Sequence, residues 1–385
     1  MNANATTYAV NVVSASSLTT ALEKVRRASS ERECAAALVT VATMLQEAVL
    51  RKQPMADIND AIDACPDSLG MVLGAAMDRA VNFTQTERGT MGLWLLPVRL
   101  VSEEALPGLI QLTNDKMRAM KMAAAVQAQM KLLESSVPGW CFTIPALVSD
   151  EALRNAELSS LIQFPQQVQS LIQGEREQVS FIEELDFEEV EAGVSVYYLP
   201  MVIFHPNGTS LDAPTSSEQL VHRMFRWVEE SVAPETVTEI TVSSVPQPFS
   251  LALRVGQRME LGGRFRQMML DLRAKSDIDF NGMAALVTPY EVRNKDEDLL
   301  LGVSLVSRLT KTALASMTLP VLEGAGEEEM AIVTAVLNEL GVERVQQHQH
   351  PVGTIACQHC GNIQFALPSM DTVEAGMIPD SHTIN

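Results

Sequence analysis

Near its C-terminus the chain reads Cys357-Gln358-His359-Cys360-Gly361, with His348 and His350 a few residues upstream. Two thiolates three positions apart grip one metal ion, and a glycine beside them lets the backbone turn tightly past it. The ligand set expected is Cys357 and Cys360 with His348 and His350, and zinc suits such mixed thiolate and imidazole donors. His359 and His382 are the other imidazoles of the tail, and the second Cys pair of a full knuckle is missing. The competing reading is a reduced pair of thiols on a turn. A redox dithiol is disfavoured, because the pair precedes a short apolar run at 363–367 rather than opening a helix.

A second constellation is electrostatic. The formal net charge is -20, from 28 Lys plus Arg against 48 Asp plus Glu, yet Arg254, Arg258, Arg264, Arg266, Arg273 and Lys275 gather around Gly262 and Gly263. The most acidic stretch, 175–191, carries Glu183, Glu184, Glu188 and Glu189 among Phe181, Leu185, Phe187 and Val190. Each cluster alone reads as a solvated helix face or a charge-guarded edge. Together they allow a contact between copies. Arg254, Arg258, Arg264 and Arg266 of one chain would face Glu183, Glu184, Glu188 and Glu189 of another, with complementary charge fixing register more than affinity. The acidic stretch lacks the Asp-x-Asp-x-Asp-Gly spacing of a calcium loop.

Catalytic signatures are missing. No Walker lysine motif, nucleophile elbow, HExxH or kinase signature occurs. The turn at 322–330 has the look of a phosphate loop, but Glu327, Glu328 and Glu329 occupy the helix start where a pyrophosphate would bind. His205, beside Asn207-Gly208, reads as a turn residue, and His222 falls on a helical pattern; neither has a nucleophile at a recognisable spacing.

The elements that must hold these residues follow from periodicity. A chain of 385 residues exceeds what one core supports, so two or three domains are expected. Over 17–83 the apolar positions recur at threes and fours, as in Leu38, Val41, Met44, Leu45 and Val49. Thr19 and Ser30 are candidate N-caps, and Pro54 and Pro66 divide the run into about four helices. From Gly92 onward, apolar and partly β-branched runs alternate with helices: 93–101, 140–148, 194–204, 239–245, 283–292 and 299–309. Prolines inside these runs predict edge positions or strand ends. Leu100-Val101-Ser102-Glu103-Glu104-Ala105-Leu106 repeats as Leu147-Val148-Ser149-Asp150-Glu151-Ala152-Leu153. Each copy predicts a strand ending at a capping serine, with two carboxylates in the first helical turn. The methionines over 114–135 read as core, with an adaptable contact surface as the alternative.

The fold expected is therefore α+β: an N-terminal helical domain (1–88), two strand–helix modules (89–192 and 193–345) forming mixed sheets, and a small CxxC knuckle-like tail (346–385). Five cysteines, odd and sparse, indicate a reducing compartment. The N-terminus has no basic and apolar leader pattern, and no run of about 18 apolar residues stands out, so a cytoplasmic protein without a membrane span is expected. The charge disfavours nucleic acid, whose affinity comes from basic side chains. These readings predict a non-enzymatic, soluble assembly or interaction protein, a homo-oligomer or bound to a protein partner, such as the structural or scaffold proteins of phage and bacterial complexes. The alternatives are a zinc-stabilised regulatory or adaptor protein, and an enzyme whose site is dispersed in sequence.

Overall fold

The computed structural model describes residues 13–85, 89–112, 140–144, 146–173, 175, 181, 185–206, 228, 236–276, 279–291, 299–310, 313–322, 326–348, 350–353, 355–356 and 363–364. The chain divides into two units, 1–256 and 257–385.

Serines start the first two helices. Ser14 forms a capping box with Ser17 ahead of α1 (Ala15–Arg26), and Ser30 accepts the Glu33 N–H at 3.2 Å ahead of α2 (Glu31–Leu50). Thr19, expected as a cap, lies inside α1 because the Ser14 box opens the helix earlier. Pro54 and Pro66 precede α3 (Met55–Asp63) and the short turn leading to α4 (Gly70–Asn82). The buried positions keep the predicted spacing: Leu18, Leu22 and Val25, then Val41, Leu45 and Ala48, then Leu73, Ala76 and Ala80. The Gln46 side-chain amide donates to the carbonyls of Ala80 at 2.7 Å and Phe83 at 2.8 Å, tying α2 to the end of α4. By length and composition α2 would suffice to cross a membrane, although no such run stood out in the sequence; in this fold it packs against α1 and α4.

The sheet of the first unit is antiparallel throughout its described pairs. Its strands are β1 (Thr84–Gln85), β2 (Gly89–Ser102), β3 (Leu109–Gln111), β4 (Trp140–Thr143), β5 (Ala146–Ser149), β6 (Gly193–Pro206), β7 (Val237–Val242) and β8 (Gln247–Pro248). The spine is β2 against β6, paired from Gly89↔Pro206 to Ser102↔Gly193. Along its outer edge β2 meets β1, β8 and β7 in succession, while β6 meets β4 and then β5, with β3 beyond β5. Residues on either side of the expected 192/193 boundary thus share one sheet.

The prolines of the spine sit in central strands, not at edges, and the outer strands explain why. Pro97 lies between the stretch of β2 paired with β8, at Trp94 and Leu95, and the stretch paired with β7, from Val98. Pro200 lies between the stretches of β6 paired with β4 and with β5. Their carbonyls accept from outer residues, Ser243 N–H at 2.9 Å and Ile144 N–H at 3.3 Å. In an antiparallel strand a residue's N and O face the same side, so each proline nitrogen faces the outer strands, where their pairing is interrupted, and not the β2–β6 ladder.

One face of the spine, with Trp94, Leu96, Val98, Leu100, Tyr197, Leu199, Met201 and Ile203, forms a core with Leu106, Ile110 and Leu147. The opposite face is buried too, and α4 lies against β2. That explains why the two strands read as continuous apolar runs rather than alternating ones. Close approach fixes one residue type here: a Cβ on Gly92 would lie 1.8 Å from the Asn82 carbonyl oxygen.

The sequence repeat takes two forms. In the second copy β5 ends at Ser149, whose hydroxyl accepts the Ala152 N–H at 3.3 Å and starts α5 (Asp150–Arg154), as expected. Next comes α6 (Leu158–Ile172). In the first copy Ser102 accepts the Glu104 N–H at 3.3 Å but no helix forms. Leu106 instead bridges Val190 through two backbone hydrogen bonds of 2.9 and 2.8 Å, so tertiary pairing overrides a local helix signal.

Helix α7 (Phe249–Ser276) runs unbroken through Gly262 and Gly263 and contributes residues to both units. The second unit then holds β9 (Met283–Glu291), β10 (Leu299–Ser307), β11 (Ala313–Pro320), α8 (Glu327–Glu339), β12 (Arg344–Gln347) and β13 (Val352–Gly353). Its sheet is mixed. The order is β11-β10-β9-β12, with β12 and then β13 parallel to β9, and Pro289 falls between those two pairings. Leu261, Phe265 and Met269 of α7 and Met330, Val333 and Leu337 of α8 cover Ala285, Val287, Val303 and Leu305. A short ribbon pairs β14 (Ile355–Ala356) with β15 (Ile363–Gln364). The fold is α+β, as expected.

Candidate functional site

Of the expected zinc ligands, Cys357 and Cys360 lie outside the described residues, as do His359 and His382. In sequence the Cys pair falls between β14 and β15, which are hydrogen-bonded to each other. His348 follows β12 directly; its N–H donates to the Val287 carbonyl at 2.9 Å, and its Nε2 is buried with no hydrogen-bond partner among the described residues. His350 is exposed. Among the described residues no three His, Cys, Asp or Glu side chains are placed to share a metal ion.

The arginines of α7 meet acids of their own chain. Arg258 pairs with Glu328, and its Nε lies 4.0 Å from Oε1 of Glu329. Arg264 pairs with Glu260 at 2.6 Å and Arg266 with Glu339 at 3.2 Å. Glu328 and Glu329 belong to the first turn of α8 and Glu339 to its last, so the basic zone pins α8 at both ends. Arg254 acts on Asp78 of α4, which also accepts a hydrogen bond from the Ser250 hydroxyl. Burial is the dominant influence on Asp78 and pushes its carboxyl above the ordinary range, while the Ser250 bond and the Arg254 charge pull it back. Glu188 and Glu189 are exposed on a segment held by the buried Phe181 and Leu185 and by the Val190 bridge; Phe181 stacks on Phe164 at 4.3 Å. Glu183 and Glu184 lie outside the described residues, as do His222 and the methionines of 114–135; for His205 only the backbone pairing with Thr90 is described.

A shallow open cleft of about 250 Å³ is lined by Val49, Leu50, Lys52, Gln163, Gln166, Gln167 and Ser170. Lys52 is the single ionisable side chain among its described lining residues, and a base or nucleophile needs a partner to activate it. No acid–base constellation converges there.

The feature that stands out is an edge. Strand β11 pairs with β10 from Leu300↔Pro320 to Val306↔Ala313, and no described strand lies on its other side. Its eight residues, Ala-Leu-Ala-Ser-Met-Thr-Leu-Pro, carry no charge. Every other outer strand among the described residues is short or charged: β7 carries Glu239, ion-paired with Arg99, and β12 has four residues including Arg344. Proteins ordinarily guard exposed edges by shortness or by charge. Of the seven exposed large apolar side chains among the described residues, Leu314 (45% exposed) lies on this strand, and Leu309 (95%) and Leu322 (37%) flank it in sequence. In the sequence, the uncharged run at 313–322 was the signal available for this edge. No family model, curated protein or solved structure matches the chain.

Proposed function

We propose that the chain is a non-enzymatic assembly protein of the cytoplasm that associates with further copies of itself, without nucleic acid or membrane as partner. The open β11 edge with its flanking exposed leucines carries the reading. Unsatisfied backbone donors and acceptors beside apolar side chains are a template for another strand. Light scattering over a concentration series, at low and at moderate salt, tests it. Self-association that persists in salt is expected, and a monomer under all conditions would refute the reading.

A second reading, a zinc-stabilised adaptor, is favoured by the ribbon of β14 and β15 that brackets Cys357 and Cys360 in sequence, and by the unpartnered Nε2 of His348. About one zinc per chain, lost on Cys357→Ser or Cys360→Ser, is expected in elemental analysis of protein purified without added metal. Reduced protein containing no zinc would end that reading.

A further inference from the structure

The direction of the open groups on β11 follows from its ladder. The Val321 N–H donates to the Leu299 carbonyl at 3.2 Å. Pairs in an antiparallel ladder alternate between bonded and non-bonded, so Leu319, Met317 and Ala315 bond to β10 while Thr318 and Ser316 turn their N–H and C=O groups outward. On the helix-covered side of the sheet, the half-buried Ala315 and Met317 pack on the core of the second unit and carry it to the edge.

We propose, resting on the self-association reading above, that β11 pairs antiparallel with β11 of a second copy about a twofold axis through Met317. Ser316 then faces Thr318 of the second copy and the reverse, closing about four backbone hydrogen bonds. Met317 meets its own counterpart, and Ala315 meets Leu319, so the half-exposed rim of the core is covered. Neighbouring registers fit less well. An axis at Thr318 sets Pro320, which has no N–H, opposite Ser316. An axis at Ser316 sets Leu314, beside the irregularity in the β10 pairing at Leu305/Val306, opposite Thr318. Charge also favours a second copy here. The chain carries -20, so most of its surface repels itself, whereas this strand is neutral and bounded in sequence by Lys311 and Glu323.

Sedimentation equilibrium on the full chain is expected to give a mass rising with concentration from 42.0 kDa toward twice that value. Thr318→Pro removes an outward N–H without touching a bond to β10; it is expected to hold the mass at 42.0 kDa throughout while the circular dichroism stays that of the parent. Thr318→Val keeps the N–H and is expected to dimerise like the parent. Met317→Cys places two thiols across the axis at the close spacing of a non-bonded pair. Under mild oxidant it is expected to give a reducible dimer band beyond the background from the parent's own cysteines, and it decides the matter should Thr318→Pro fail to fold. A parent oligomer that Thr318→Pro leaves intact, with no Met317→Cys cross-link, overturns the β11 pairing while the self-association reading stands. A parent that stays at 42.0 kDa at every concentration overturns both.

Discussion

Glu329 is fully buried in the first turn of α8, and neither carboxylate oxygen has a hydrogen-bond partner among the described residues. Its described counter-charge is Arg258, at 4.0 Å. At that separation and an effective dielectric of about 20, the attraction amounts to about 4 kcal/mol. Removing Arg258 strands a buried carboxylate, which costs about 3–5 kcal/mol. Arg258→Met keeps most of the side-chain packing and isolates the charge. The same arginine also pairs with Glu328, whose side chain is 63% exposed, and such a pair contributes about 0–1 kcal/mol; Glu328→Gln measures that part alone. Glu329→Gln removes the buried charge and its desolvation cost together, so a change within about 1 kcal/mol of the parent, or a gain, is expected. The double variant Arg258→Met/Glu329→Gln should recover most of the loss, because the two residues share one interaction. The assay is chemical and thermal unfolding of the full chain, read in the transition of the second unit. Arg258→Met costing less than about 1 kcal/mol, or Glu329→Gln costing as much as Arg258→Met, would refute the reasoning: Glu329 would then not be a charge held by that arginine.

Asp78 links stability to pH. Its folded pKa is raised above the ordinary 3.8, chiefly by burial, so the native state holds this proton more tightly than the unfolded chain does. The stabilisation is complete below 3.8 and is lost as pH rises through the folded value; Asp78→Asn is therefore expected to melt higher relative to the parent as pH climbs from about 4 toward neutrality. A melting difference that does not vary with pH would count against it. In the second unit a Cβ on Gly302 would lie 2.4 Å from Cε2 of Tyr290, which is 2% exposed, so Gly302→Ala is expected to cost about 1–3 kcal/mol by overpacking. An unchanged melting temperature for that variant would show that the ring gives way freely.

How far the sequence reached depended on whether an element was fixed locally or by its neighbours. All six apolar runs contain strands; in β2, β9 and β10 burial on both faces writes itself as a nearly uninterrupted apolar stretch, whereas the partly buried β7 carries Glu239 and threonines between its apolar residues. The prolines misled, since Pro97 and Pro200 looked like edge markers and were placed by breaks between outer strands that no local pattern encodes. The start of β11 was missed for a related reason. Ala313, Leu314, Ala315 and Ser316 have no β-branch and little strand preference of their own; pairing with β10 makes them a strand. The basic zone was legible as charge but its partners were not, because Arg258 finds Glu328 and Arg266 finds Glu339 across about 70 residues of sequence, a distance that tertiary folding alone bridges.

Those internal pairs fix the sign of the salt response. A contact between copies made by Arg254, Arg258, Arg264 and Arg266 against exposed glutamates would weaken as salt rises, because screening acts on attraction between exposed charges within about 10 Å at 0.1 M. With Arg258, Arg264 and Arg266 already matched to Glu328, Glu260 and Glu339, the surface offered to a second copy is dominated by the excess of acids. What salt then screens is repulsion. Pairing through a neutral strand edge draws on backbone hydrogen bonds and apolar contact, neither of which is lost on screening. Association should therefore strengthen between low and moderate salt, with the weight-average mass at fixed concentration moving up. A mass that falls over the same range would move the interface from the edge strand to the charged helix face.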